Sequence, residues 1–180
     1  MKMTITEALA EIKTLIKRIN KKQTFIQSNL LRDSCFQDDL EKNGGSPKVI
    51  VEERQSIKDL ENRIIALRSA ISKKNQSTEL TIVEQSKTIA DWLIWRRDVM
   101  PNYQQFLNNM TNQVARAKQQ ASNNVRHKVD TDGRQSSEQV GITVHIDEKK
   151  LAEEIEQLEE ILGSLDGQLS LLNATTMIEI

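Results

Sequence analysis

Histidine, cysteine and clustered carboxylates are the side chains that most often carry catalysis or hold metal, and in this chain they are scattered. His127 and His145 have no Cys, Asp or Glu at ligand spacing on a common element. Asp130, Asp132 and Gly133 resemble the start of a calcium loop. The pattern breaks because Arg134 stands where the third oxygen ligand belongs and the glycine comes two places early. Glu153, Glu154, Glu156, Glu159 and Glu160 fall on what a helical period makes the solvent side, where carboxylates keep ordinary proton affinities and serve poorly as general acids or bases. Neither G-x-S-x-G nor a Walker A, dinucleotide-binding or H-E-x-x-H pattern occurs. We therefore expect no enzyme, with no catalytic residues, no metal site, no cofactor and no small-molecule substrate.

Trp92, Trp95, Arg96 and Arg97 make the one aromatic-basic cluster, which could stack on bases or place cations over rings. The tryptophans are one helical turn apart and close to Leu93, so we read them as a plug between helices and short strands. Cys35 is the sole cysteine, which excludes a disulfide within the chain.

The apolar residues that must support all of this recur at helical spacing. In residues 55–75, Ile57, Leu60, Ile64, Leu67 and Ile71 alternate steps of three and four, the pattern of a coiled-coil seam. A stripe so narrow cannot stabilise a lone helix and must lie against another. The first helix opens with the capping box Thr4 and Glu7 and carries Ile5, Leu9, Ile12, Ile16, Ile19, Gln23, Ile26 and Leu30. Gln23 either sets register or marks a flare. Asn43-Gly-Gly-Ser-Pro47 turns a helical hairpin, with Ser46 as N-cap and Pro47 at the first helical position. A third helix from Thr88 and Asp91 has its seam at Ile89, Leu93, Arg96, Met100, Tyr103, Leu107, Met110, Val114, Ala117 and Ala121, bending at Pro101. The last helix, capped by Asp147, carries Leu151, Ile155, Leu158, Leu162, Leu165, Leu169 and Leu172.

Short alternating runs at 78–83, Val140–Ile146 and Thr176–Ile180 read as strands. The expected architecture is mainly α: four long amphipathic helices in an elongated coiled-coil bundle with two or three short β-strands, as one domain over 1–180. Its parts are an N-terminal helical hairpin (1–75), a strand and long kinked helix (78–124), a loop (125–140), and a strand, helix and terminal strand (141–180). Aromatic residues at 3% and charged residues at 28% fit narrow seams better than a thick core.

Charge is uneven along the chain although the net is −1. Residues 1–32 hold seven Lys or Arg against two Glu, a net of +5, and residues 147–180 hold nine acidic against two basic residues, a net of −7. Such complementarity would let the first and last helices lie side by side within or between chains. Of the 23 residues from Asn102 to Asn124, eleven are Asn or Gln, a composition that suits uncharged contact between helices as readily as a solvent face. Glu7 and Glu11 interrupt the place where a secretion signal needs its apolar core, and no run of apolar residues is long enough to span a bilayer. The expected location is the cytoplasm or an assembled virion.

Three stretches in order, ITEALAEIKTLIKRINKK, AISKKNQSTELTI and DEKKLAEEIEQLEEILGSLDGQLSLLNATT, resemble the septicolysin-like family of small helical bacterial proteins. The resemblance covers most of the chain, with LNATT its sharpest piece, although Ala174 stands where the family carries an aromatic. What it implies is a pore-forming toxin. It transfers no catalytic or binding residues.

From the residues themselves we expect a non-enzymatic structural or assembly protein, a homo-oligomer or a subunit of a larger particle such as a virion neck, fibre or cement component. Other structural proteins are the alternative partners. A septicolysin-like pore former and a nucleic-acid-binding protein using the basic first helix are the rival functions, although neither a membrane nor a nucleic acid is the favoured partner. The residues expected to pack or oligomerise are Ile57, Leu60, Ile64, Leu67 and Ile71, then Leu158, Leu162, Leu165 and Leu169, then Ile178 and Ile180. The last two follow from geometry: about 39 Å of helix at ~1.5 Å per residue separates the strands at 140–146 and 176–180, so one of them should pair with an adjacent chain.

Overall fold

The computed structural model describes residues 1–123, 125–129, 135–139 and 142–180, with side chains described outside 124–141. The calcium-like run Asp130, Asp132, Gly133 and Arg134, the His127 side chain, and Val140 with Gly141 lie outside the described residues. The fold is mainly α, with four long helices, as the periodicity predicts. Among the described residues six short strands form three two-stranded sheets, where two or three strands were expected. Contacts group the chain into two compact units, the first made of Met1–Leu80, Thr88–Ala90 and Gln168–Ile180, the second of Thr81–Lys87 and Asp91–Gly167.

In the first unit, β1 (Lys2–Thr4) leads directly into α1 (Ile5–Ser28). The predicted capping box is formed: the Glu7 amide donates to Thr4 Oγ1 at 3.2 Å and the Thr4 amide donates to Glu7 Oε2 at 2.7 Å. These bonds hold the Glu7 carboxyl below its ordinary pKa. The buried face of α1 is Ile5, Ala8, Ile12, Leu15 and Ile19, whereas the sequence placed Leu9 and Ile16 on the seam. Steps of three and four both fit a helical period, and the direction from which the partner helix approaches decides which flank turns inward. Leu9 and Ile16 are left exposed.

That partner is α2 (Ser46–Ser77), running antiparallel to α1 with half-buried ion pairs Arg63–Glu11 at 2.8 Å and Lys22–Glu53 at 2.6 Å. Leu67 is fully buried at their seam, and Leu60, Ile64 and Ile71 pack on the same cluster. Gln23 is exposed, so it marks a flare. The N-terminus of α2 differs from the prediction by one residue. Gly45 is the N-cap and has no side chain to offer, so Ser46 becomes the first helical residue. The capping oxygens come from Asp38, which accepts from the Ser46 amide at 2.7 Å, the Ser46 hydroxyl at 2.6 Å and the Leu40 amide at 3.0 Å. With those donors, led by the Ser46 hydroxyl, its pKa falls to about 2. Gly44 and Gly45 have φ of 95° and 89°, a region that side chains rarely enter.

The chain's two ends meet in one sheet. β6 (Met177–Glu179) pairs antiparallel with β1, with Met3 opposite Ile178, and bonds of 3.1 Å from Ile180 N–H to the Met1 carbonyl and from Ile5 N–H to the Thr176 carbonyl extend the ladder. Ile178 joins the α1–α2 core and Ile180 packs against it. The terminal strand was expected to seek an adjacent chain. It is covered instead by residues 2–4, which no strand pattern announced because three residues are too few to alternate visibly.

β2 (Glu79–Ile82) and β3 (Gln85–Thr88) form a hairpin, and β3 had no counterpart in the prediction. Its two-residue turn puts Val83 at φ 44° and Glu84 at φ 63°. Both central residues are left-handed, as a type I′ turn demands, yet neither is glycine or asparagine. That missing signature is why the hairpin could not be seen.

Leading into the second unit, α3 (Ile89–Ile94) runs through a π-helical turn at Trp95–Val99 into α4 (Met100–Asn123). The Met100 amide reaches back five residues to the Trp95 carbonyl. Pro101 has no amide hydrogen and its ring would crowd the carbonyl four residues before it, and the widened turn relieves this. The turn also shifts register. Trp92 is buried and Trp95 packs inward, where Leu93 and Arg96 were expected, and the inward face resumes at Met100 after a step of five.

α5 (Glu148–Thr175) starts at Asp147, whose Oδ1 accepts from the Lys149 and Lys150 amides at 3.0 and 3.3 Å. It runs antiparallel to α4, joined by Arg96–Asp166 at 2.7 Å and Lys118–Glu148 at 2.5 Å, around a core of Leu107, Leu151 and Leu158. Where a loop was expected over 125–140, β4 (Val125–Val129) pairs antiparallel with β5 (Gln135–Gln139). β5 is wholly polar and β4 offers only Val125 and Val129 at alternate positions, too little apolar pattern to announce a strand pair.

Three outcomes test this architecture. Leu67→Ala should lower the unfolding free energy by about 2–5 kcal/mol in denaturant melts. Ile65→Ala, at a residue 62% exposed on the same helix, should change it by less than about 0.5 kcal/mol. Equal losses would put the seam on the wrong face. Replacing Val83-Glu84 by Asn-Gly should stabilise the protein by about 1 kcal/mol or more by removing left-handed strain, and an unchanged or lower melting temperature would refute the turn geometry. The third outcome concerns acid. Because the folded pKa of Asp38 lies at about 2, below its ordinary 3.8, its contribution is present above pH 3.8 and fades as pH falls toward 2. Asp38→Asn should therefore melt below wild type at neutral pH, with the gap closing over that window; a gap independent of pH counts against the carboxylate cap.

Candidate interaction surface

Among the described residues the side chains with chemical potential do not converge. Glu153, Glu154, Glu156, Glu159 and Glu160 are exposed along α5, as the period predicts. Among the described residues no three His, Cys, Asp or Glu side chains gather as a metal site would require. Arg96 pairs with Asp166 at 2.7 Å and Arg97 with Asp98 at 2.8 Å, both pairs at the surface. Trp92 and Trp95 meet edge to face at 5.5 Å, with Lys87 Nζ 4.6 Å from the Trp92 ring centre. That cation comes from β3 of the protein itself. Cys35 is exposed on the α1–α2 connection.

The residues expected to pack or oligomerise turn mostly inward. Leu67, Leu158, Leu165, Leu169 and Ile178 are buried, and Ile57, Leu60, Ile64, Ile71, Leu162 and Ile180 are half-buried. They form interior seams. An outward apolar surface lies elsewhere, on α4. Tyr103 is 39% and Phe106 55% exposed, and their rings stack with centres 6.4 Å apart. Farther along α4, Met110 packs against the Leu107, Leu151 and Leu158 core, and Val114 and Ala117 are half-buried. The Tyr103 hydroxyl donates to Glu154 on α5, which pins the ring and raises the tyrosine pKa, since a phenolate would face a carboxylate.

Beside the C-terminal half of α4 runs the segment 142–146, Ile-Thr-Val-His-Ile, with Ile142 and Ile146 exposed and Val144 half-buried. It was predicted as a strand. It forms none, because alternation supplies a face but a strand also needs a ladder, and among the described residues its main-chain groups have no hydrogen-bond partner. Between it and Met110, Gln113, Val114 and Ala117 lies an open apolar groove of about 310 Å³. His145 lines this groove with no acidic neighbour along it. Such a surface is of a kind that can dock an apolar partner.

The sequence placed Met100, Leu107 and Met110 on one seam, and these three do pack together, but it put the exposed Tyr103 on the same seam and missed Phe106. The usable signal was charge: residues 102–115 contain no Asp, Glu, Lys or Arg. A helix face meant only for water would normally carry some.

No family model and no curated protein matches the chain. A crystal structure of a functionally unknown conserved protein from Corynebacterium diphtheriae matches it with a TM-score of 0.59, over 99% of this chain and 100% of that one, at 17% identity. At that identity, what the two chains share is a fold.

Proposed function

We propose that the protein is a non-enzymatic structural or assembly subunit, acting as a homo-oligomer or within a larger particle such as the neck, fibre or cement of a virion. One observation carries this reading: α4 presents Tyr103 and Phe106 outward, in line with a groove whose walls are apolar and whose flanking segment has open main-chain groups among the described residues. Contiguous apolar surface of this kind is costly in water and marks a place where another protein sits. The uncharged amides around it supply a polar rim that no salt bridge constrains.

The reading also explains why so much of the chain is spent on narrow seams. Paired helices present long, stiff faces with few interior residues, a form suited to building and poorly suited to enclosing a substrate. Light scattering coupled to gel filtration should find a dimer or higher species at micromolar concentration. A stable monomer there would overturn the homo-oligomeric reading.

A further inference from the structure

We infer that Asn43 is a site of spontaneous covalent modification, in which the Gly44 main-chain nitrogen attacks the Asn43 side-chain amide and expels ammonia, assisted by the Lys48 ammonium group. Asn43 is the one asparagine of the chain that glycine follows, so no side chain shields the nitrogen next to it. It ends the 3-10 turn Glu41–Asn43 on the α1–α2 connection, is exposed, and its side chain has no hydrogen-bond partner among the described residues. Asn29, on the same connection, is different: Leu30 follows it, and its side-chain amide donates to the Phe25 carbonyl at 2.8 Å. Most of the other asparagines lie inside helices, where the backbone ladder holds the next amide nitrogen to a carbonyl of the preceding turn.

The step needs only water. The Gly44 nitrogen gives its proton to solvent and attacks Asn43 Cγ; the new C–N bond forms, the Cγ–Nδ2 bond breaks, and the leaving nitrogen takes up a proton and departs as ammonia. Water then opens the five-membered imide at either carbonyl, leaving aspartate or an isoaspartate whose side-chain carbon has become main chain. Lys48, in the first turn of α2, reaches back over this site. Its Cδ and Nζ lie 2.8 and 3.4 Å from where a Cβ on Gly44 would stand, so the ammonium group is close enough to favour negative charge on the attacking nitrogen and on the oxygen of the tetrahedral intermediate. Its pairing with Glu52 is long, at 3.9 Å. The opposing contact is the bond from the Gly44 amide to the Glu41 carbonyl at 3.0 Å, which must open first; it closes a single exposed turn, the kind of structure that opens at low cost. The product reaches the start of α2. Isoaspartate lengthens the main chain between Leu40 and Ser46, the two residues whose amides Asp38 holds together.

The test incubates the full chain at mildly alkaline pH, once folded and once in urea, and follows every asparagine by peptide mapping and mass spectrometry, with isoaspartyl methyltransferase labelling to separate the two products. In the folded chain residue 43 should convert faster than any other asparagine, with isoaspartate the larger product. Lys48→Gln should slow the folded reaction about two- to fivefold, the effect of one exposed charge at this range, and leave the rate in urea nearly unchanged because the lysine is no longer held there. Converted protein should melt about 2–4 °C below fresh protein, the shift expected when a helix cap is weakened in a chain of this size, and Asn43→Gln should neither convert nor lose melting temperature on incubation. If the folded chain keeps Asn43 intact while the chain in urea converts, the Gly44–Glu41 bond protects the site and the proposal is wrong. Equal folded rates for wild type and Lys48→Gln would overturn the part given to Lys48, and conversion without a lower melting temperature would overturn the link to the start of α2.

Discussion

The contact between α1 and α2 is the constraint on which the first unit depends. Each helix is apolar on a narrow side, and neither could keep its backbone bonds against water without that side covered. Leu67 sits in the middle of the contact, and Met3 and Ile178 from the paired ends of the chain close over the same cluster. The ion pairs Arg63–Glu11 and Lys22–Glu53 lie along the edges of this seam and favour one alignment of the helices. Being half-exposed, they contribute modestly to stability, and the buried apolar residues supply most of it.

In the second unit the corresponding constraint is Pro101. A regular helix through this residue would have kept one continuous face from Ile89 to Ala121. The π-turn before it changes the phase, so that both tryptophans and then Met100 and Leu107 can face inward. The same change leaves Tyr103 and Phe106 outside. A backbone adjustment to a missing amide hydrogen therefore sets the phase of α4 relative to the turn that carries the tryptophans.

Two local features show how much of the fold is settled at a distance. The start of α2 has a glycine where a capping side chain would be, and Asp38 supplies the oxygens from eight residues upstream. The hairpin at Val83-Glu84 holds both residues left-handed without the residue types that adopt this easily. In each case the local residues alone argue for a different outcome, and surrounding structure overrides them.

By itself the sequence determined that the chain is mainly α, where the four long helices begin and end to within a few residues, and that Thr4, Glu7 and Asp147 cap two of them. These follow from period and from bonds between near neighbours, which depend on no other part of the chain. Only tertiary structure decided which flank of α1 turned inward, because Leu9 and Ala8 both satisfy the helical period and the approach of α2 chooses between them. It also decided that residues 2–4 and 177–179 pair with each other while 142–146 pairs with nothing among the described residues, since a ladder is made between segments distant in sequence. Tyr103 and Phe106 belong to the same class. Whether an apolar residue on a two-faced helix is core or surface depends on the side from which α5 packs, and the amino-acid pattern of α4 alone leaves that undetermined.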